Sequence, residues 1–227
     1  MFSSLNSDSC YWLGFTYGDG SVSKYSLRFE LSNKDIDHLY KIKTFFETDA
    51  PVLKSEKNCS RININSKDFC DKIQKIGIVV NKTYRKEIPN IPEKYYNDFI
   101  RGILDSDGWI VKHNNRFNIP QYEFGFSSNN KHLLEKIQDH LCVKLEKSKL
   151  GSLRQTKSCY QLIIGGNKQF KSIYKLLYVN SKDSNRLSRK YNLATEAIKY
   201  IEKRPDKRSL KNLQTPDIVT KSDRYGP

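Results

Sequence analysis

The sequence contains no apolar run long enough to cross a bilayer, and no basic amphipathic helix that lacks a core to pack on; both absences argue against a membrane protein. Its first residues, MFSSLNSDS, carry neither the basic region nor the apolar block of a signal peptide, so an intracellular location is expected. Five cysteines, at 10, 59, 70, 142 and 159, include no CxxC pair, which excludes a disulfide framework or a zinc site and leaves reduced, mostly buried thiols. Acid is scarce too: 25 Asp and Glu stand against 40 Lys and Arg, a net charge of +15. With 37% hydrophobic and 12% aromatic residues, the chain is too apolar for a disordered basic tail, and 227 residues suffice for one domain or two small halves. A folded protein with a strongly positive surface suits a polyanionic partner, and nucleic acid is the one these absences leave.

What the sequence does have is a repeat. The stretches CYWLGFTYGDG (10–20) and DFIRGILDSDG (98–108) each end in Asp-Gly and place a glycine five residues before the acid, Gly14 before Asp19 and Gly102 before Asp107. A small residue, Gly18 or Ser106, precedes each aspartate. Setting Gly14 on Gly102 shifts the numbering by 88. The alternating segments that follow, YSLRFELSNKD (25–35) and QYEFGFSSNN (121–130), match at Phe29 and Phe124, a shift of 95; the seven added residues are assigned to a hairpin loop, KHNNRFNIPQ. His113 falls in that loop with no second histidine at metal-binding spacing, and His38, His132 and His140 are assigned to helix surfaces or edges.

Helical periodicity appears at about 34–47, 67–76, 130–143, 167–178 and 190–203, and the alternating runs VLK, RININ, SLRQ and YQLII supply two more hairpins. Cys59 and Cys159 fall at matching places, 100 apart. The prediction is therefore an α+β protein of two αββαββα halves, residues 1–90 and 91–203, divided near Pro89 and Pro92 and followed by an extended basic tail, 204–227.

If residues 10–18 are helical, Gly14 and Gly18 share one face, as Gly102 and Ser106 do in the second copy, and two such faces let the backbones approach closely. Gly20 and Gly108 are expected to end the helices in left-handed caps. Asp19 and Asp107 then lie side by side at the negative ends of two helix dipoles, an arrangement that needs a cation. Carboxylates, helix carbonyls and water suit magnesium better than zinc. Where the first copy has Tyr17 the second has Asp105, so only Asp19 and Asp107 are shared. In the strands, Arg28, Glu30 and Ser32, or Arg61, Asn63 and Asn65, alternate with core residues and present a polar face of the kind that reads base edges in a major groove.

WLGFTYGDG and IRGILDSDG, with the intervening NKTYRKEIPNIPEKYYNDFIRG, resemble the paired motifs of the monomeric, two-motif LAGLIDADG homing endonucleases over nearly the whole chain to about residue 203. Tyr17, where many members have an acid, and Trp12 are departures that leave both aspartates intact. The resemblance implies a pseudo-twofold pair of αββαββα halves joined through the motif helices, with antiparallel sheets forming a saddle on double-stranded DNA. It also implies that a monomer, intron- or intein-associated, cuts a long pseudo-palindromic site and leaves short 3′ overhangs. Two or more magnesium ions would be shared between Asp19 and Asp107. Around the scissile phosphates it implies Asn33 and Lys82 in one half and Ser128 and Lys190 in the other, with Arg85 competing with Lys82 and Arg189 with Lys190. The DNA contacts implied are Lys24, Arg28, Glu30, Ser32, Arg61 and Asn63 from the first sheet and Lys112, Gln121, Glu123, Arg154 and Gln161 from the second. The alternative is a non-cleaving nucleic-acid binder on the same scaffold, such as an intron-splicing maturase; an intact acid in both motifs favours the enzyme.

Overall fold

The computed structural model describes residues 4–55, 58–78 and 88–203. The first half runs α1 (Ser7–Gly18), β1 (Ser21–Val22), β2 (Ser26–Ser32), α2 (Ile36–Phe45), β3 (Val52–Ser55), β4 (Cys59–Asn65) and α3 (Lys67–Lys75). The second repeats it as α4 (Tyr96–Asp107), β5 (Gly108–Asn114), β6 (Pro120–Ser128), α5 (Lys131–Lys144), β7 (Ser152–Gln155), β8 (Tyr160–Gly165) and α6 (Asn167–Tyr178), then adds α7 (Ser188–Glu202). The strands form two antiparallel sheets of matching order, β1-β2-β4-β3 and β5-β6-β8-β7. This is the α+β, pseudo-symmetric architecture that the repeat predicts. A 3-10 turn, Asn33–Asp35, takes the place of the expected first turn of the helix at 34.

Helix α1 begins at Asn6, whose side chain accepts the Ser9 N–H at 2.8 Å while Ser9 Oγ accepts the Asn6 N–H at 2.8 Å, a reciprocal cap. From Ser9 to Gly18 every residue is buried. A helix apolar on all sides is stable only inside a molecule, and α1 is enclosed because α4 covers one face and its own half the rest. In β2, Leu27, Phe29 and Leu31 point to the core while Arg28, Glu30 and Ser32 face outward; in β4, Ile62 and Ile64 point in and Arg61, Asn63 and Asn65 out.

The pairing register corrects the internal alignment. Val22, Leu27 and Ile64 form one row across the first sheet, and Ile110, Phe124 and Ile164 form the corresponding row of the second. Phe29, opposite Ile62, thus corresponds to Phe126, opposite Leu162, rather than to Phe124. The shift along β2 is 97, and the insertion has nine residues. Most of it is strand, not loop: Lys112, His113 and Asn114 pair with Tyr122, Gln121 and Pro120, lengthening the hairpin around a turn at 115–119. Period-2 alternation is weak in KHNNRFNIPQ because both faces of a hairpin projecting beyond the core are solvated.

Two other expectations are overturned. Gly20 and Gly108 do not adopt left-handed caps: neither has positive φ, and Gly108 is extended at φ −99° and ψ −179°. Their lack of a side chain serves close approach instead, since a Cβ would stand 2.6 Å from Thr16 O at Gly20 and 2.6 Å from Leu104 O at Gly108. His38 is not on a helix surface but fully buried, packed among Tyr11, Trp12 and Phe15. Burial holds its pKa well below the ordinary 6.5, so the ring is neutral. All five cysteines are free.

Candidate functional site

The site is assembled by the crossing of α1 and α4. A Cβ on Gly14 would lie 2.2 Å from Phe99 O, and one on Gly102 would lie 2.1 Å from Tyr11 O, so the two backbones touch where no other residue fits. This contact brings the helix ends, and with them both aspartates, together. The Asp19 N–H donates to Phe15 O at 2.9 Å, closing α1 with the acid half-buried. Asp107 is exposed at the end of α4, and its Oδ2 lies 3.1 Å from where a Cβ on Gly18 would stand, so its carboxylate leans across to the end of α1. Beside them is a cleft of about 330 Å³ lined by Asp19, Glu30, Ser32, Asp35, Ser106, Trp109, Arg189 and Lys190 among others. A larger hollow, about 610 Å³, lies around Ile88, Tyr96 and His140 and is lined by neither aspartate.

Lys190, on α7, reaches the centre but is turned to the protein. Its Nζ donates to Leu104 O at 2.6 Å, Asp105 O at 2.8 Å and Gly108 O at 2.7 Å. An ammonium has three N–H donors, and all three are committed to carbonyls at the C-terminal end of α4. A cation at that end offsets the helix dipole beneath Asp107. Burial lowers the Lys190 pKa to about 8, with Asp105 and Asp19 pulling it back up. Lys190→Met is expected to lower stability by about 2 kcal/mol or more, because buried carbonyls lose their partner; urea unfolding measures it.

Asp105 is the residue that sequence pattern passed over. It is 2% exposed, accepting the Tyr178 hydroxyl at 2.9 Å on Oδ1, and the Tyr11 hydroxyl at 3.0 Å and the Leu187 N–H at 2.7 Å on Oδ2. Burial pushes its pKa up, and nearby Lys190, these donors and Arg101 oppose the shift. Tyr11 also meets His38 Nε2 at 3.0 Å, so one buried chain runs from α2 through α1 and α4 to α6 and α7. Arg101, equally buried, donates to Asn185 O, Leu177 O and Asp98. Asp105 and Arg101, an acid and a base one turn apart in the second motif, were a sequence signal for such a network; most of their partners, distant in sequence, were not.

Most of the other expected residues stand on the two outward sheet faces. Asn33 accepts Ser60 Oγ at 2.6 Å and donates to Asn58 at 3.0 Å. Ser128 accepts the Asn130 N–H, and at the shift of 97 it is Asn130 that corresponds to Asn33. Arg28 pairs with Glu30, and Arg154 donates to Gln161 at 2.9 and 3.1 Å, each on one sheet face. Arg61 and Asn63 stand on the outward face of β4, Ser32 at the inner end of β2, and Gln121 and Glu123 on the outward face of β6. Lys112 on β5 does not join them: it pairs with the buried Tyr122 and shares the face of Ile110, opposite to that of Val111, because side chains alternate along a strand. Lys24, at the β1–β2 turn, lies over the Tyr25 ring. Arg189 grips Asp35 with two bonds, at 2.9 and 2.8 Å, tying α7 to the first half. Lys82, Arg85 and the tail from 204 onward lie outside the described residues.

Residues 94–190 match the family model of the LAGLIDADG-like domain. The C-terminal half is a LAGLIDADG-like domain. The chain as a whole has the fold of the two-domain LAGLIDADG homing endonucleases. Meganuclease I-SmaMI, solved bound to uncleavable DNA, is 15% identical, with 94% of this chain and 93% of that one covered and a TM-score of 0.61. I-GzeII in complex with its DNA target is 15% identical over 93% and 94%, with a TM-score of 0.60. I-LtrWI bound to target DNA is 11% identical over 85% and 89%, with a TM-score of 0.57. An uncharacterized protein of Methanocaldococcus jannaschii, MJ0398, is 24% identical over 145 residues, 61% of this chain; that stretch spans about half, 52%, of the relative's length. Among the described residues no helix is long and apolar enough to cross a membrane.

Asp19 and Asp107 at the ends of α1 and α4 are oxygen donors, the kind that suit a hard divalent ion. Among the described residues no group of three or more His, Cys, Asp and Glu is placed to hold a metal, and the ends of α1 and α4 bring two carboxylates, Asp19 and Asp107. That is too few for a closed zinc site, but it suits a hard ion bound through one or two carboxylates together with phosphate and water.

Proposed function

We propose that this chain is a sequence-specific, magnesium-dependent DNA endonuclease that cuts both strands of a long pseudo-palindromic site as a monomer and leaves short 3′ overhangs. The observation that carries this reading is the pairing of Asp19 and Asp107 at the touching ends of α1 and α4, beside a cleft open to two outward sheet faces. The DNA-bound relatives of the same fold and the net charge of +15 support it.

Each aspartate would hold metal at a scissile phosphate, and bound magnesium supplies Lewis-acid activation of water and stabilisation of the leaving oxygen. Asp105, held by three donors, and Lys190, capping α4, keep the carboxylate of Asp107 in position. The sheet faces bearing Arg28, Arg61 and Asn63, and Glu123, Arg154 and Gln161, lie in successive turns of the major groove. Asn33, Ser128 and, beyond the described residues, Lys82 belong to the surroundings of the cut phosphates. The protein works wherever its target DNA is kept, inside the cell.

The test is selection of cleavable sites from a randomised duplex library. Double-strand cutting with 3′ overhangs is expected in magnesium, lost in EDTA and restored by added magnesium. Tight, selective binding with no cutting in magnesium overturns the nuclease and leaves the non-cleaving binder.

A further inference from the structure

Beyond the longer second hairpin, the two sheets differ in the chemistry of one outward-facing row. In the first, the outward-facing row next to the motif helices is Ser21, Arg28 and Asn63, all polar. The corresponding row of the second is Trp109, Gly125 and Ile163, in register across β5, β6 and β8. Gly125 has no side chain because the indole occupies its place: a Cβ there would lie 1.9 Å from Trp109 Cε2. The Trp109 ring is thus laid flat against the sheet on the face opposite Phe124 and Phe126, with its Nε1 3.5 Å from Glu123 Oε1. Val111, two residues further along β5 on the same face, is 37% exposed. Trp109 lines the cleft beside Asp19 and Ser106.

An apolar row on a surface otherwise built for a polyanion is costly to leave in water and needs an apolar partner. On the DNA of the proposed function, on which this inference rests, the major groove offers one such group, the C5 methyl of thymine. We infer that Trp109, Ile163 and Val111 form a thymine-methyl reading patch, which makes the half-site under the second sheet rich in thymine near the cut. The half-site under the first sheet is read there by Arg28 and Asn63 through hydrogen bonds to base edges. Trp109 is two residues from Asp107, so the patch lies roughly two to four base pairs from the scissile phosphate at about 3.3 Å per strand residue. The inner base pairs of the target are therefore asymmetric, although the fold is pseudo-symmetric.

The experiment uses the wild-type chain and its library-selected duplex, with thymidines replaced singly by deoxyuridine, which removes only the methyl group. Thymines should concentrate at inner positions of one half-site, and each replacement there should weaken binding about fourfold, the worth of one buried methyl. Replacements at mirror positions of the other half-site should have no effect. Reselection with Trp109→Ser and with Ile163→Asn should relax the preference in that half-site alone. Sites that are selected and cut, but show equal tolerance of deoxyuridine in both halves, overturn the patch and leave the nuclease standing. A chain that selects no DNA site overturns both.

Discussion

Replacing Asp107 by asparagine is expected to leave the protein folded and bound to its selected site while slowing cleavage roughly a thousandfold or more, the scale on which loss of one charge-stabilising group slows a hydrolysis. Asparagine keeps the shape and one oxygen but removes the charge that would hold metal. Because Asp107 is exposed, the change leaves no cavity, and the fold should be retained. Asp19→Asn should act in the same way from α1. With each acid serving one strand, the single variants should nick where the wild type breaks both strands, and a supercoiled plasmid carrying the site separates these products. Full double-strand cutting by the Asp19→Asn, Asp107→Asn double variant would remove both residues from the chemistry.

The second large effect is on stability. Gly102→Ala places a Cβ 2.1 Å from Tyr11 O and 2.6 Å from Phe15 N, both backbone atoms inside the helix pair. Neither can move without separating α1 from α4, so the cost should reach about 3 kcal/mol or more, the upper end for overpacking. Gly14→Ala, against Phe99 O at 2.2 Å, should cost about as much. Gly18→Ala is the informative contrast. Its Cβ would stand 1.9 Å from Ser106 Oγ, which can rotate away, but also 2.5 Å from Ser106 Cβ, which is fixed to α4, so the cost should approach that of Gly14→Ala. Since the same Cβ would crowd Asp107 Oδ2, its effect on cutting should exceed its effect on unfolding. Denaturant unfolding of the three variants, set beside their cleavage rates, checks this.

The repeat, the two glycine faces and the alternation in β2 and β4 were legible because they depend on local periodicity: a helix buried on all sides and a strand buried on one must write their burial into the sequence. The register of the second hairpin was not, since KHNNRFNIPQ has no buried face to mark its phase. His38 looked like a surface residue because it is one of five polar positions on the ten-residue α2, beside Asp37, Lys41, Lys43 and Thr44, and nothing local records Tyr11 and Trp12, which arrive from another element. Lys190, likewise, was marked only through the family resemblance, as a lysine near a scissile phosphate. Its three bonds to the end of α4 depend on where α7 docks.

By itself the sequence determined that two equivalent halves exist, that each ends an apolar helix in an aspartate, and that the outer surface is positive. These are properties of composition and short-range order. The repeat singled out Asp107 over Asp105, but only the tertiary structure decided that Asp105 is locked inside while Asp107 faces outward. The two are two residues apart on one helix and so project to different sides of it, and what each side meets is set by α1, α6 and α7, brought there from far along the chain.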